Sequence, residues 1–354
     1  MIKNKLPQWS AFSEVVFPSS LACQQASSEV TARYKQRFLP QGATIIDCTG
    51  GLGVDCVAFA SKAEKVMYIE LNESLCQAAV HNFSLLEAFN IEVLHGNCID
   101  LIPAIPPADL IYIDPSRRGT DRRLLLALSD YEPDILALKE MLLQKAPKVL
   151  AKISPMADIR QCLRLLPETA EVHVLSVKNE CKELLFLLER PQNNPIPTED
   201  IPIVCVHINA MEKEELFTFR LGQEKAAQAP LANHPTAGYL YEPNPSLLKA
   251  GAFKLPAIAF GLQKIHPHTH LYYAPVLRES FPGRIFQIQK VLDFNKQTIK
   301  SLHQTIPKAN IAVRNFCMEA AELRKRLKIK DGGDVYLFGV RVSDQNFALI
   351  VAQK

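Results

Sequence analysis

The sequence predicts an α/β protein whose larger part is an open, mostly parallel sheet of seven strands with helices on both faces. Three observations predict this fold. Residues 43–190 alternate short apolar runs with amphipathic stretches, the last two apolar runs are about five residues apart, and a proline-rich segment separates this part from a smaller α+β region. Continuous apolar runs rich in Ile and Val are typical of strands that are covered on both faces.

Each strand of the sheet is predicted from one apolar run, at residues 43–48, 65–70, 91–95, 108–114, 148–153, 171–177 and 183–189. Amphipathic stretches at 73–89 and 133–144 are predicted to be two of the connecting helices, and Pro133 is suited to a first helical turn. A parallel return requires a connection of roughly a dozen or more residues. The short connection between the last two strands therefore predicts an antiparallel hairpin.

The chain is predicted to contain four segments. Residues 1–40 are a helical N-terminal extension, residues 41–191 are the sheet domain, and a linker with four prolines between 191 and 202 follows. Residues 202–283 and 284–354 form the α+β region. In that region we predict strands at 203–208, 216–221, 334–342 and 347–354, and helices at 285–305 and 315–328.

Composition indicates a folded protein of a reducing compartment. Of the 354 residues, 48% are hydrophobic and 22% are charged, which excludes a disordered chain. The nine cysteines are scattered without a C-x-x-C pair, so we expect free thiols rather than disulfides or a zinc site. Because no apolar leader and no run of 18 apolar residues occurs, we expect a soluble, cytoplasmic protein with no membrane contact.

Three alternating histidines, His266, His268 and His270, would lie on one face of a strand. No cluster of Cys, His or carboxylate residues accompanies them, and a protein metal site needs such a set of ligands. We therefore expect no metal.

Charge is unevenly distributed along the chain. The formal net charge is +3, but residues 284–330 contain 11 Lys and Arg and 3 Asp and Glu, so this basic segment carries +8 and the rest −5. A basic segment on a slightly acidic protein is typical of a contact with a phosphate backbone. A solvated helix face is the alternative.

A glycine-rich turn follows the first predicted strand. Its notable residues are Asp47, Thr49, Gly50, Gly51 and Gly53. Glycines let a backbone approach a ligand closely, and the N–H groups at the start of the next helix can bind one. Seventeen residues after Gly53, the second strand ends in Glu70, where a carboxylate can accept hydrogen bonds from ribose hydroxyls. This arrangement predicts a nucleoside-containing cofactor, with a tight turn that binds nothing as the alternative.

The turn lacks the G-x-G-x-x-G pattern of dinucleotide folds and resembles motif I of class I S-adenosylmethionine-dependent methyltransferases. The resemblance implies S-adenosylmethionine as the cofactor, with Asp47 near the amino group of its methionine part. After the third strand, where that family usually has an acid that faces the adenine amine, this chain has Asn97 and Cys98. Asn97 could accept a hydrogen bond from the same amine.

The fourth strand leads into Asp114, Pro115, Ser116, Arg117 and Arg118. This segment resembles the (D/N)-P-P-x motif of nucleic-acid methyltransferases, with Ser116 in place of the second proline and no aromatic residue after it. The resemblance implies that Asp114 and its loop hold an exocyclic amine in line with the methyl group, since methyl transfer depends chiefly on alignment. The two arginines suggest contacts to phosphate or carboxylate. A loop turn with surface arginines is the alternative.

Uracil C5-methylating enzymes carry a similar motif but require a cysteine nucleophile after the next strand. Residues 152–155 read K-I-S-P, so a covalent mechanism is not expected. Lys152, together with Asn179 and Lys182 at the tip of the predicted hairpin, lies at the same sheet edge and is a candidate for substrate binding. Ordinary turn chemistry is the alternative for these residues.

Several further segments, at 152–159, 179–185, 241–253, 281–284, 314–316 and 331–338, extend the resemblance over nearly the whole chain. Together they resemble bacterial methyltransferases with a THUMP-like C-terminal domain, found notably among Bacteroidetes. The resemblance implies a Rossmann-like methyltransferase sheet over 41–191, a ferredoxin-like module over 202–283, a THUMP-like module over 284–354, and RNA as the substrate.

The leading hypothesis is S-adenosylmethionine-dependent methyl transfer to a base nitrogen of structured RNA. The basic segment would hold the phosphate backbone, and Arg324, Lys325 and Arg326 are predicted to contact phosphates rather than bases. The alternatives are a methyltransferase for DNA or a small molecule, and a cofactor-bound RNA-binding protein without turnover. A dehydrogenase is disfavoured because the dinucleotide fingerprint is absent.

Overall fold

All seven apolar runs of residues 43–190 form strands in a computed structural model, which describes residues 2–117, 131–190, 196–233 and 235–354. The strands of this part are β1 (Thr44–Asp47), β2 (Lys65–Glu70), β3 (Ile91–His95), β4 (Leu110–Ile113), β5 (Ser116–Arg117), β6 (Tyr131–Glu132), β7 (Lys148–Ile153), β8 (Thr169–Val177) and β9 (Glu180–Glu189). β5 and β6 form a separate short antiparallel pair.

The main strands lie in the order β8–β9–β7–β4–β1–β2–β3. The five strands β7, β4, β1, β2 and β3 run parallel, and β9 runs antiparallel to β7. Every residue of β4 is buried, as expected for a central strand covered on both faces. The predicted α/β fold class and its terminal hairpin are confirmed.

The strands predicted at 203–208 and 216–221 lie in a different place from the predicted one, because both belong to the first sheet. β10 (Pro202–Ile208) is adjacent to β8 in the first sheet, although the sequence assigned residues from 202 onward to the α+β region. The physical reason is that β10 is an apolar run whose residues 203–206 are buried, and it covers the edge that β8 would otherwise expose. Composition predicts such a strand but does not say which sheet it joins.

Most helices of this part begin at side-chain caps, which satisfy free N–H groups of the first turn. Asn72, Asp134 and Asp158 cap the helices Glu73–Leu85, Ile135–Lys145 and Ile159–Leu165, respectively. The helices are α1 (Ile2–Lys5), α2 (Ser20–Gln25), α3 (Glu29–Lys35), α4 (Val54–Ala60), α5 (Glu73–Leu85), α6 (Cys98–Leu101), α7 (Ile135–Lys145) and α8 (Ile159–Leu165). Short 3₁₀ turns occur at Trp9–Ala11, Gln36–Phe38, Ile102–Ala104 and Thr198–Asp200.

The N-terminal extension packs onto the sheet domain. Leu6 and Trp9 are buried, and the Asn82 side chain of α5 holds the extension by two hydrogen bonds to Val16. Its Oδ1 accepts from the Val16 N–H at 2.9 Å, and its Nδ2 donates to the Val16 carbonyl at 2.9 Å. The extension therefore belongs to the first of two compact units, which covers Met1–Val177, Cys181–Val204 and Ile208–Lys213.

The second unit comprises Lys178–Glu180, Cys205–His207 and Glu214–Lys354. Its strands are β11 (Glu214–Arg220), β12 (Gly238–Pro243), β13 (Gln263–His266), β14 (Thr269–Ala274), β15 (Gly283–Asp293), β16 (Lys308–Arg314), β17 (Lys330–Arg341) and β18 (Phe347–Gln353). Its helices are α9 (Leu221–Ala226), α10 (Pro245–Ala250), α11 (Leu255–Ala259), α12 (Lys296–Thr305) and α13 (Ala320–Leu327). Seven strands form one sheet in the order β13–β14–β12–β15–β18–β17–β16.

Side chains that alternate along these strands pack into clusters on opposite faces of the sheet. Leu337 and Leu349 pack with Leu302 of α12 and with Leu323 and Leu327 of α13. The neighbouring positions face the other way, in a cluster that includes Leu240, Phe286, Phe338, Ile350 and Ala352. Strand residues point alternately to opposite faces, so both faces of this sheet are apolar.

The predicted helix at 285–305 is wrong in its first half. Residues Gly283–Asp293 form β15, which pairs with β12 and β18, and only Lys296–Thr305 is helical. In the sequence, apolar residues at 285, 288, 291 and 292 have helical spacing, but pairing on both sides overrides this local pattern.

Candidate active site

The carboxyl ends of β1, β2, β4 and β7 meet at one edge of the first sheet, and most of the predicted site residues lie there. Asp47 is the last residue of β1 and is 1% exposed. Its carboxylate accepts hydrogen bonds from the Thr49 N–H at 2.9 Å and from the Cys56 thiol at 3.1 Å. Burial raises the pKa of Asp47 to about 7, which the two hydrogen bonds partly oppose.

The glycines of the turn are required by the space around them. A Cβ atom on Gly50 would lie 2.2 Å from the ring of Tyr68, and one on Gly53 would lie 2.5 Å from the ring of Phe83. Gly53 also has φ of +81°, in the left-handed region that side chains disfavour, and it directly precedes α4. Larger residues at these positions would displace the turn from the sheet edge.

Glu70 connects the second strand to this turn. Its Oε2 accepts from the Gly51 N–H at 2.8 Å, and its Oε1 accepts from the Asn72 N–H at 2.8 Å. Each carboxylate oxygen has a second lone pair, so both can still accept from a ligand hydroxyl. Nearby, the Tyr68 hydroxyl donates to the Gly51 carbonyl at 2.6 Å and fixes the same residue.

Asn97 and Cys98 lie at the start of α6. The Asn97 Oδ1 accepts from the Ile99 N–H at 3.0 Å, so this oxygen caps the helix. Cys98 is buried, and a hydrogen bond with the Cys48 thiol lowers its pKa while raising that of Cys48 well above its usual value. The structure therefore places two thiols side by side after β1 and β3.

Asp114 follows β4 and is held through both its backbone and its side chain. Its backbone N–H donates to the Thr49 Oγ1 at 2.7 Å, which ties this loop to the glycine-rich turn. Its carboxylate forms an ion pair with the Lys152 ammonium at the end of β7. Pro115 is buried and Ser116 is exposed as β5 begins. The sequence predicts that Lys152 binds substrate, and this role stays a prediction. In the structure its ammonium group pairs with Asp114.

Opposing effects set the charges of this pair. Burial holds the pKa of Asp114 above its ordinary value, and the neighbouring Lys152 opposes only part of this rise. Burial lowers the pKa of Lys152, but the carboxylates of Asp114, Glu183 and Asp55 raise it above its ordinary value. Lys152 is therefore an ammonium ion at neutral pH.

A second buried lysine lies in the same charged cluster. Lys35 of the N-terminal extension is fully buried, and its Nζ lies 2.8 Å from Asp55 Oδ1 and 3.0 Å from Glu183 Oε2. It also donates to Ser27 Oγ at 2.8 Å. The Tyr112 hydroxyl donates to the other oxygen of Asp55 at 3.1 Å. Sequence reasoning missed this cluster, because its members are far apart along the chain and each has an ordinary local pattern.

The remaining predicted substrate residues are less closely grouped. Arg117 belongs to β5, and Arg118 lies outside the described residues. Asn179 is the second residue of the two-residue hairpin turn and has φ of +110°, which this kind of turn requires. Lys182 lies in β9.

The three basic residues predicted to contact phosphates lie in the last turn of α13. The Arg324 Nη2 is 2.7 Å from Asp331 Oδ1, and the Arg326 guanidinium is 5.5 Å from the centre of the Phe294 ring. Lys325 is exposed. All three roles stay predictions.

Within the described ranges, no group of three or more His, Cys, Asp or Glu residues is arranged to hold a metal ion. His270 instead stacks on Phe253, with ring centres 3.7 Å apart. Among the helices that the structure describes, none has the length and apolar character needed to span a bilayer.

Two family models match the C-terminal third of the chain. A ferredoxin-like domain matches residues 239–282, and a THUMP domain-like family matches residues 283–354. The ferredoxin-like match begins well after residue 202, where the sequence analysis placed the start of that module.

The whole chain is similar to a solved structure, that of a provisionally assigned methyltransferase from Porphyromonas gingivalis W83. The two are 38% identical, the match covers 100% of this chain and 87% of that one, and the TM-score is 0.93. Uncharacterized RNA methyltransferases of Listeria monocytogenes serotype 4b (strain F2365) and Lactobacillus johnsonii are 28% identical over 141 residues and 24% identical over 152 residues, respectively. These matches cover 38% and 41% of this chain but only 31% and 33% of the relatives, about a third of their length.

Proposed function

The chain belongs to the same family as the Porphyromonas methyltransferase, one with ferredoxin-like and THUMP-like domains, and from this premise we propose that it transfers a methyl group from S-adenosylmethionine to a base nitrogen of structured RNA. The observation that carries the proposal is the Asp114–Lys152 pair, tied through Thr49 to the glycine-rich turn. This arrangement joins a group that can orient an acceptor amine to a turn that can hold a nucleoside cofactor.

The residues at the turn fit this cofactor. Asp47 is a buried acid with hydrogen-bond donors around it but a pKa of about 7, so a nearby ammonium group would stabilise its carboxylate form. Both oxygens of Glu70 can accept from ribose hydroxyls, and Asn97 and Cys98 lie at the adjoining strand end. S-adenosylmethionine, when bound, supplies a methyl group on a sulfonium that needs no further activation.

Asp114 performs the acceptor chemistry in this proposal. Its carboxylate accepts a hydrogen bond from the exocyclic N–H of the base and so points the nitrogen lone pair at the methyl group. As the nitrogen becomes positively charged, the same carboxylate can take the proton that the amine must lose. Lys152 holds the carboxylate in place and favours its ionised form, so Lys152 acts through Asp114.

RNA is proposed as the substrate on two grounds. The curated relatives are named RNA methyltransferases, although the chain matches only about a third of their length. The THUMP domain-like region contains the basic segment, whose balance is +8, and such a segment suits a phosphate backbone. A cytoplasmic location is proposed from the nine free cysteines, which a reducing compartment would maintain.

The test is methyl transfer from labelled S-adenosylmethionine to RNA isolated from a strain that lacks the gene, followed by digestion to nucleosides. The wild-type chain should label one nucleoside. Asp114→Ala should lower the rate at least about a hundredfold, the scale of a missing acid–base group, while RNA binding persists.

Asp109→Ala is the matched control, because Asp109 precedes the same strand and is exposed at the other sheet edge. Label in DNA or in a small molecule, with none in RNA, would overturn the substrate assignment. RNA binding without label in any acceptor would identify a binding protein without turnover.

A further inference from the structure

Three sequence segments that the proposed reaction does not use, 241–253, 281–284 and 314–316, meet in the second unit. Each contributes one charged residue: Glu242 near the end of β12, Arg284 at the start of β15, and Arg314 at the end of β16. Glu242 and Arg284 are direct partners in the antiparallel pairing of β12 and β15. The three residues form the Arg284–Glu242–Arg314 cluster.

The geometry of this cluster is specific. Glu242 is 3% exposed, and each of its oxygens is bound by a different arginine. The Arg284 Nε donates to Oε2 at 2.7 Å, and its Nη2 contacts the same oxygen. The Arg314 Nη2 donates to Oε1 at 2.5 Å, while its Nη1 donates to the Val313 carbonyl at 2.7 Å. The arginine side chains are 35% and 33% exposed.

One carboxylate between two guanidinium groups leaves an excess charge of +1. A buried glutamate needs one arginine for charge balance, so the second is not explained by pairing alone. Each guanidinium has five N–H donors and uses only some of them on Glu242 and the backbone. The remaining N–H donors belong to partly exposed guanidinium groups, and the shared Glu242 carboxylate already fixes the orientation of both groups.

The surroundings reinforce a preference for an anion. The Arg284 guanidinium lies 5.5 Å from the Phe286 ring centre and 5.9 Å from that of Tyr336, which restricts its orientation. Burial, together with Lys264, His268 and Arg314, lowers the pKa of His270 to about 4. Burial is the main cause, and Lys264 and Arg314 add positive charge near His270 that acts in the same direction.

We propose that the Arg284–Glu242–Arg314 cluster is a phosphate-binding site for a phosphate of the nucleic-acid substrate. Two fixed guanidinium forks match the oxygens of a phosphate, and a phosphate anion neutralises the excess charge. The identification of the ligand as RNA rests on the proposed function, whereas the affinity for phosphate does not. A phosphate held here positions the chain on RNA without reading its sequence.

The first experiment uses the wild-type chain and inorganic phosphate. The Nε–Hε NMR signals of Arg284 and Arg314 are followed during the titration and are assigned with single Arg→Lys variants. Both signals should shift with one common saturation curve, and an exposed arginine such as Arg278 should not follow it. Unmoved signals up to tens of millimolar phosphate would overturn the proposal, whatever the enzyme's substrate.

The second experiment measures RNA affinity against salt for a double variant, Glu242→Gln with Arg284→Gln. This variant removes one guanidinium without leaving a buried carboxylate unpaired, so the fold should persist. Its affinity should fall about tenfold at low salt because one of the two guanidinium groups is lost, whereas the slope of log affinity against log salt should change little, because one positive and one negative charge are removed together. Lys225→Gln, which removes one exposed charge from α9 of the same unit, is the control.

A folded double variant with the wild-type affinity would show that the cluster only joins three strands. If the double variant unfolds, the RNA affinity of Arg284→Lys tests the proposal instead. This variant keeps the positive charge but removes the guanidinium group, so RNA binding should weaken severalfold. RNA with and without a 5′-phosphate distinguishes a terminal from a backbone phosphate. A wild-type chain that binds phosphate but methylates no RNA would overturn the proposed function and leave this site standing.

Discussion

Single residues at the edge of the first sheet make structural contacts, and the proposed function gives some of them a chemical role as well. Glu70 accepts hydrogen bonds from the Gly51 and Asn72 N–H groups, and the same carboxylate is proposed to accept from ribose hydroxyls. Asp47 similarly holds Thr49 and Cys56 in place while its pKa lies near 7. Local hydrogen bonding therefore accounts for these residue types, and the proposed ligand contacts would require the same carboxylates.

Replacing Glu70 with alanine should weaken cofactor binding by at least about tenfold, because a charge-assisted hydrogen bond is worth about 1.5–3 kcal/mol. S-adenosylhomocysteine should raise the melting temperature of the wild-type chain and raise that of Glu70→Ala much less, since ligand binding stabilises by mass action. NAD should leave both unchanged. An equal shift with S-adenosylhomocysteine in the two proteins would show that Glu70 does not contact the ribose.

The raised pKa of Asp47 makes stability depend on pH. The native pKa of about 7 exceeds the value of about 3.9 expected in the unfolded chain. Between these values only the native state holds the proton. The contribution of Asp47 to the free energy of unfolding is therefore complete below pH ~4 and is lost as the pH rises through 7. One pKa unit corresponds to 1.36 kcal/mol, so Asp47 should lower the free energy of unfolding of the ligand-free protein by roughly 3 kcal/mol between pH 5 and 8.

Asp47→Asn should remove this pH dependence, and urea unfolding at several pH values measures it. Asp109→Asn, which alters an exposed carboxylate that accepts from the Thr44 N–H, is the matched control and should follow the wild-type profile. A wild-type pH profile in Asp47→Asn would show that the carboxyl of Asp47 is not the group responsible.

At the scale of elements, the N-terminal extension completes the first unit. α3 carries Lys35 into the interior, where it balances Asp55 of α4 and Glu183 of β9. Asn82 of α5 secures the preceding segment through Val16. Without Lys35, these two buried carboxylates would lack this cation, so the extension contributes to charge balance beneath the candidate active site.

Replacing Lys35 with methionine should lower the free energy of unfolding by about 3–5 kcal/mol, because it takes the paired cation from the buried carboxylates of Asp55 and Glu183. Lys65→Met is the matched control. Lys65 pairs with Glu92, both residues are about half exposed, and such pairs contribute at most about 1 kcal/mol. Denaturant unfolding at neutral pH compares the two variants, and similar decreases would mean that the Lys35 cluster contributes no more than a surface pair.

Sequence patterns predict elements where local preference and tertiary pairing agree. Seven of the nine strands of the first sheet, and its hairpin, follow from apolar runs and connection lengths. β10, β11 and β15 differ from prediction because sheet membership and strand pairing depend on distant partners. The same reason explains which site residues the sequence predicts. Motifs locate Asp47, Glu70 and Asp114, whereas the Lys35 cluster depends on groups that only the fold brings together.

At the scale of the whole molecule, charge is concentrated in the basic segment, and the residues of α13 differ in how readily they can reach a ligand. Arg324 pairs with Asp331, which is 68% exposed, so this pair is worth at most about 1 kcal/mol and can open. Arg326 lies over Phe294, which leaves its polar edge available. Cations at the last turn also interact favourably with the helix dipole, so part of their presence needs no ligand.

Neutralising Arg324, Lys325 and Arg326 to glutamine should weaken RNA binding for every sequence tested, because phosphate contacts carry no sequence information. The slope of log affinity against log salt should decrease by roughly one unit for each phosphate that is no longer neutralised, up to about three. Stabilisation by S-adenosylhomocysteine should stay unchanged, since its proposed ligands lie in the first unit. Filter binding from about 50 to 200 mM salt measures the slope.

A triple variant of Lys62, Lys65 and Lys148 to glutamine removes the same charge from the first unit, at the sheet edge opposite the candidate active site. If net charge alone governed RNA binding, both triple variants would bind more weakly to the same extent and with the same change in slope. If RNA affinity and the salt slope decrease only in the α13 variant, phosphate binding is assigned to the basic segment. An undiminished slope there would instead mean that these cations face solvent, and the residues that bind RNA would have to be sought elsewhere in the chain.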